Sequence, residues 1–115
     1  MVEQSKELLK DELELLVKPL ISQKGQLFED IYDLENKLIT LKFNLRVTEA
    51  NLWLHTDWET VIDGRATEKL KKAYVDSQTA EKKRDIARTQ TIINAKYNHI
   101  KTIDDNIWLL SRRSV

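Results

Sequence analysis

The sequence contains no cysteine, one proline and two glycines among its 115 residues. Without cysteine the chain can form no disulfide framework, no thiolate zinc site and no cysteine nucleophile. So few helix-breaking and turn-forming residues argue against a sheet with tight turns and favour long helices. The sequence also lacks an apolar run of the ~20 residues that a membrane span needs, and its polar N-terminus has no apolar signal-peptide core. We therefore predict an all-α, cytoplasmic protein with no membrane partner.

The formal net charge is zero, yet the charges are unevenly distributed. Residues 1–64 carry 7 Lys and Arg against 13 Asp and Glu, whereas residues 65–115 carry 12 against 6. An acidic segment and a basic segment can neutralise each other if they lie side by side, within one chain or between subunits. The other interpretation is that the basic segment contacts nucleic acid.

Apolar residues recur at alternating spacings of four and three between Leu13 and Leu52. We call these positions the seam: Leu13, Val17, Leu20, Lys24, Leu27, Ile31, Leu34, Leu38, Leu41, Leu45, Thr48 and Leu52. Ten of the twelve are aliphatic, and only Lys24 and Thr48 are polar. A heptad repeat sustained over more than five heptads is typical of a coiled coil rather than of an ordinary globular helix.

The first helix is predicted over residues 3–54, with a kink at 18–20. Pro19 removes a backbone donor and crowds the preceding turn, yet the seam continues through it in phase. Four further apolar residues widen the apolar face beyond the seam, namely Phe28, Tyr32, Ile39 and Phe43. So wide a face indicates more than one partner helix, so we expect a homo-oligomer that forms a helical bundle.

A tip loop is predicted over residues 55–66, because the heptad phase stops at Leu52 and Asp63-Gly64 is a turn signal. Thr67 is a suitable N-cap for a second helix over residues 67–110. Two heptad sets begin at the end of the tip loop and continue along this helix: Ala66, Ala73, Ala80 and Ala87, then Ile86, Ile93, Ile100 and Ile107. Together the two helices predict a single domain, an antiparallel helical hairpin in which Leu52 faces residues 68–70 and Leu13 faces Trp108.

Nothing in the sequence resembles a catalytic or cofactor site. The two glycines lie too far apart to form a phosphate loop. His55 and Asp57 form an H-x-D pair, which supplies too few ligands for a metal, and Asp104 and Asp105 are expected to be solvated. We predict no enzyme, no catalytic residue, no metal and no cofactor.

Two groups of residues are candidates for binding. The first is the tip, with Trp53, His55, Asp57, Trp58, Ile62 and Arg65. Tryptophan is enriched among interface anchors. The interpretation that we favour is that Trp53 and Trp58 close the core, with Trp58 packing on Leu52, Leu54 and Leu70. The second group is the basic set Lys82, Lys83, Arg84 and Arg88. It has no aromatic residue beside it for base stacking, so it predicts weak, phosphate-directed binding.

The segment Asn51-Leu-Trp-Leu-His-Thr-Asp-Trp58, followed by Gly64-Arg-Ala-Thr-Glu-Lys-Leu-Lys-Lys-Ala-Tyr-Val75, resembles a pattern in small uncharacterised helical proteins of Gram-positive phages and prophages. The resemblance covers about residues 45–80. It implies a virus-derived gene of the kind often placed near replication and recombination genes, and it carries over no catalytic residue.

Two functions follow as hypotheses. The first is a coiled-coil interaction or adaptor protein that binds itself and an unidentified protein, acting on replication or recombination machinery. The second is a nucleic-acid-associated protein that contacts phosphates through its basic second helix. Retention of a captured partner after nuclease treatment and in ~0.5 M salt distinguishes them, since phosphate contacts weaken steeply with salt.

Overall fold

A computed structural model describes residues 9–113. The described residues form three helices: α1 (Lys10–His55), α2 (Trp58–Val61) and α3 (Glu68–Arg112). The structure is 90% helical and its described residues include no strand, which confirms the all-α prediction. The predicted helix start at residue 3 lies outside the described residues. Neither long helix, as far as it is described, has a stretch apolar enough to cross a bilayer.

The helix α1 continues through Pro19 and Gly25 without interruption. Pro19 is exposed, and its ring and missing N–H are tolerated inside the 46-residue helix. The kink at this position stays a prediction. Gly25 is also exposed, and a Cβ added to it would meet no atom within 4 Å. The fold of the single chain therefore gives no packing reason for a glycine at this position.

The seam is the inward face of α1. All twelve of its positions are buried or half-buried, and Leu27, Ile31 and Leu38 are the most enclosed. By contrast, the four residues that widen the apolar face, Phe28, Tyr32, Ile39 and Phe43, are between 46% and 67% exposed. The 3.5-residue period therefore identified the buried face of α1 correctly.

The inward face of α3 differs in part from the prediction. Ile93 and Ile100 are buried, but Ala73 and Ala87 are exposed. Val75, Thr79 and Thr89 are buried instead, in the first half of the helix. Each threonine hydroxyl donates to the carbonyl oxygen four residues earlier, Thr79 to Val75 and Thr89 to Asp85, both at 2.8 Å. This hydrogen bond within the helix lets a threonine face the interior with its hydroxyl satisfied.

The chain forms two compact units. One contains the described residues up to Leu34 together with those from Ile92 onward, and the other is Glu35–Thr91. In the first unit α1 and α3 run antiparallel, because Lys24 Nζ lies 2.7 Å from Asp104 Oδ1 and Lys96 Nζ lies 3.6 Å from Asp30 Oδ2. Asp104 is thus an ion-pair partner and not only a solvated acid.

These two ion pairs correct the predicted register. That register placed Lys24 opposite residue 97 and Asp30 opposite residue 91, several residues short of their actual partners Asp104 and Lys96. The prediction assumed that the connection between the helices is a symmetrical loop. In the structure Trp58 contacts Lys71 and Tyr74 in the first turns of α3. Those turns therefore pack on the connection, and the pairing of Leu52 with residues 68–70 stays a prediction.

We expect replacement of Lys24 by leucine to change the free energy of unfolding by no more than about 1 kcal/mol. The lost ion pair with Asp104 is partly solvated, with side-chain exposures of 32% and 49%, and such pairs contribute about 0–1 kcal/mol. A leucine at this seam position buries apolar surface that offsets the loss. Urea denaturation of Lys24→Leu, with Lys18→Leu at an exposed position as the control, measures the difference. A loss above about 3 kcal/mol, typical of breaking a buried pair, would contradict the seam assignment near Pro19.

Candidate functional site

The connection between α1 and α3 is a structured segment built on Asp57. The Asp57 carbonyl accepts hydrogen bonds from the backbone N–H groups of Thr60 and Val61, at 3.1 and 3.2 Å. The Thr60 hydroxyl donates to Asp57 Oδ2 at 2.8 Å. These bonds close the single turn of α2, after which Ile62 is buried. The segment predicted as the tip loop thus contains a short helix and one core residue.

The connection enters α3 through a glycine turn and a threonine cap. Gly64 has φ +87, a conformation that other residues rarely adopt. Thr67 then accepts a hydrogen bond on Oγ1 from the Leu70 backbone N–H at 3.3 Å. This bond satisfies one of the free donors of the first helical turn, and it confirms the predicted N-cap.

Three aromatic rings and one lysine meet where the connection packs on the two long helices. The Trp58 ring lies 5.7 Å from that of Trp53, centroid to centroid, and 5.7 Å from that of Tyr74 in an edge-to-face arrangement. Lys71 Nζ lies 5.7 Å from the Trp58 centroid. We call these four residues the aromatic tip. All four are half-buried, so part of each side chain reaches solvent.

The candidate tip residues fall into two groups. Trp53 and Trp58 join the aromatic tip and Ile62 joins the core, whereas His55, Asp57 and Arg65 are exposed. The sequence pattern did not single out Lys71 and Tyr74. Their three-residue spacing placed them on one face of α3, but nothing in the sequence indicated that Trp58 would fold back onto that face.

The structure adds two aromatic partners of Trp58 to the predicted leucines, whose packing on Trp58 stays a prediction. Leu54 and Leu70 are 76% and 45% exposed, and the rings that contact Trp58 are those of Trp53 and Tyr74. The apolar surface of Leu54 and Leu70 is therefore available beside the aromatic tip. His55 and Asp57 belong to no group of three or more potential metal ligands among the described residues.

The basic set lies on the exposed surface of α3, and half of it is paired with acids. Lys83 Nζ lies 3.0 Å from Asp76 Oδ1, and Arg88 Nη1 lies 3.4 Å from Asp85 Oδ1. Lys82 and Arg84 are exposed and have no ion-pair partner among the described residues. Acids on the same helix thus reduce the positive charge that this surface presents to a phosphate.

Comparison with known proteins finds no similarity from which a function could be transferred. No protein family matches the chain, and no curated protein and no solved structure matches it significantly.

Proposed function

We propose that the chain is a non-enzymatic coiled-coil interaction protein, which associates with itself and presents the aromatic tip to a protein partner. The supporting observation is the distribution of apolar side chains. Among the described residues, sixteen large apolar side chains are exposed and only eight apolar side chains are buried. Contiguous apolar surface in excess of what a monomer hides is the mark of an interaction surface.

The tip has the composition of a binding surface. Tryptophan and tyrosine dominate interface energetics, and Trp53, Trp58 and Tyr74 are only half-buried. Exposed Leu54 and Leu70 extend their apolar surface, and the charged side chains of Asp57 and Arg65 lie near it in sequence. An apolar centre with a polar rim is the usual arrangement at protein–protein interfaces. The partner in this proposal is a protein of replication or recombination machinery, as the sequence resemblance to phage proteins implies.

The proposal predicts that a tip variant loses the partner without losing its fold. In Arg65→Glu/Leu70→Asp both changed side chains are exposed, so the thermal unfolding temperature should stay within a few degrees of the parent's. Capture of the partner from host cells should fall at least tenfold. The matched control, Lys101→Glu/Leu109→Asp, alters one exposed basic residue and one exposed leucine outside the tip and should capture as the parent does. Equal capture by both variants would contradict the role of the tip.

The alternative function, phosphate contact through α3, is supported by Lys82 and Arg84, for which the described residues provide no ion-pair partner. Binding of duplex DNA should then be weak and should fall steeply between about 50 and 200 mM salt. Replacing Lys82, Lys83, Arg84 and Arg88 together by glutamine should abolish it, and Lys37→Gln/Lys42→Gln should not. Fluorescence anisotropy with a labelled duplex measures both effects. Tight binding that persists at high salt would contradict this account of the basic set.

A further inference from the structure

The fold holds Lys71 in an unusual environment for a lysine. Lys71 is the fourth residue of α3, in the first turn, where the partial positive charge of the helix end disfavours a cation. Its side chain is 24% exposed, whereas Lys69 and Lys72 beside it are exposed. Its ammonium is instead held 5.7 Å from the centroid of the Trp58 ring. Places where a fold departs from such local rules are often functional.

The described part of the chain gives the Lys71 ammonium no hydrogen-bond acceptor. The carboxylate oxygen that lies within 4 Å of Nζ is Glu68 Oε1, at 3.8 Å, which is too long for a hydrogen bond. The Glu68 side chain is itself 86% exposed. An ammonium has three N–H donors, so those of Lys71 are left to water or to an oxygen of a partner.

Apolar surface lies beside this ammonium within a single compact unit, Glu35–Thr91. The rings of Trp53, Trp58 and Tyr74 are half-buried, and Leu70, the residue before Lys71, is 45% exposed. A partner that covers this surface removes water from the ammonium. A charge that loses its water is costly to bury unless a new partner pairs with it. The partner must therefore supply an oxygen acceptor, and a carboxylate makes the strongest hydrogen bond that a protein can offer here.

The charges of the connection favour a protein carboxylate over a nucleic acid phosphate. Asp57, Glu59 and Asp63 are exposed on the segment that precedes α3. Three acids close together in sequence repel a polyanion such as a nucleic acid backbone. An apolar protein segment that carries one acidic side chain avoids most of this repulsion. Its charge complements Lys71, and its apolar side chains match the rings.

We propose that the protein partner docks an apolar segment on the aromatic tip and places the carboxylate of an aspartate or glutamate on the Lys71 ammonium. This contact rests on the proposed function of the tip, and it adds the chemistry of the partner. The three rings provide the apolar surface and hold the ammonium by a cation–π contact. Lys71 selects partners with an acidic side chain, because an uncharged side chain there leaves the ammonium without a counter-charge.

Three short peptides test this selectivity directly. The probes are acetyl-Leu-Asp-Leu-amide, its uncharged analogue acetyl-Leu-Asn-Leu-amide, and the cationic acetyl-Leu-Lys-Leu-amide. Each is titrated into the full-length, ¹⁵N-labelled protein, and the shifts of the Trp58 indole N–H signal give its affinity. The Asp peptide should bind at least fivefold more tightly than the Asn peptide. The Lys peptide should bind most weakly, although the acids of the connection are nearby.

Variants at two neighbouring lysines assign the selectivity to one side chain. Lys71→Gln removes the charge and should make the affinities for the Asp and Asn peptides equal, whereas Lys71→Arg should keep the preference for Asp. Lys69→Gln is the matched control, since it removes an exposed lysine from the same helical turn, and it should bind all three peptides as the parent does. Circular dichroism should show unchanged helix content in all three variants.

The outcomes separate this contact from the proposed function. Equal affinities of the parent for the Asp and Asn peptides would overturn the carboxylate contact and leave the tip as an apolar docking surface. A preference for Asp that survives Lys71→Gln would overturn the role of Lys71. Tightest binding of the Lys peptide, or no shift of the Trp58 signal by any peptide, would overturn the proposed chemistry. Partner capture by Arg65→Glu/Leu70→Asp then still decides whether the tip binds a protein.

Discussion

Replacing Trp58 by alanine is expected to lower the free energy of unfolding by about 3 kcal/mol. Removal of a buried tryptophan costs about 3–5 kcal/mol, and Trp58 is only half-buried, which places the effect at the lower end. The substitution removes the ring contacts with Trp53 and Tyr74 and the cation–π contact with the Lys71 ammonium. Chemical denaturation at a fixed protein concentration measures the change.

Trp108 provides the matched control. Its ring is 58% exposed, and its contact is with the Arg112 guanidinium, 4.8 Å from the ring centroid. Such an exposed cation–π contact contributes about 0.5–1 kcal/mol, so Trp108→Ala should destabilise the protein by no more than about 1 kcal/mol. Equal effects of the two substitutions would show that Trp58 does not hold the connection in place.

The same variant separates the two roles of the tip. If Trp58 only closes the end of the fold, Trp58→Ala loses stability and keeps partner capture at a temperature where it is folded. If Trp58 contacts the partner, capture falls as well. A variant as stable as the parent that still captures the parent's partner would contradict both roles and direct attention to the basic set on α3.

Replacing Leu38 by alanine is expected to cost roughly 2–4 kcal/mol, the range for a buried leucine that leaves a partly collapsed cavity. Leu38 is 8% exposed and sits in the seam of α1. Leu34, the preceding seam residue, is only half-buried, so Leu34→Ala should cost less than Leu38→Ala. Urea denaturation of the two variants compares them directly.

Leu15→Ala is the control, because it is the same substitution on the same helix at a side chain that is 72% exposed. It removes little buried surface and should change stability by less than about 0.5 kcal/mol. A loss for Leu15→Ala as large as that for Leu38→Ala would show that seam burial does not determine the stability of α1.

Part of the candidate site was predictable because its determinants are local. The N-cap at Thr67 depends on a hydroxyl that accepts a hydrogen bond from the backbone N–H group three residues later, so both partners lie within one helical turn. The turn at Gly64 depends on a single residue's freedom to adopt positive φ. Neither feature required knowledge of which helix lay opposite.

The aromatic tip was predictable only in part, because its members are distant in sequence. Trp53 and Trp58 stood out as rare residues on either side of a helix end, but Tyr74 did not. Its contact with Trp58 exists because residues 57–62 form one helical turn that directs the indole toward α3. The direction of such a turn depends on the packing around it, which no spacing in the sequence encodes.

The sequence by itself determined the all-α class and the buried face of α1. Twelve positions that follow a 3.5-residue period lie on a single face of a helix, and this apolar face is the one that packs inward. The tertiary structure decided the helix register and the inward face of α3. In the first half of α3 the buried residues are Val75, Thr79 and Thr89 rather than the predicted alanines. The two threonines can be buried because each hydroxyl donates a hydrogen bond to a carbonyl oxygen of its own helix. The register of the first unit is seen in the pairing of Lys24 with Asp104 and of Lys96 with Asp30, and these residues are too far apart in sequence for any local spacing to predict their contact.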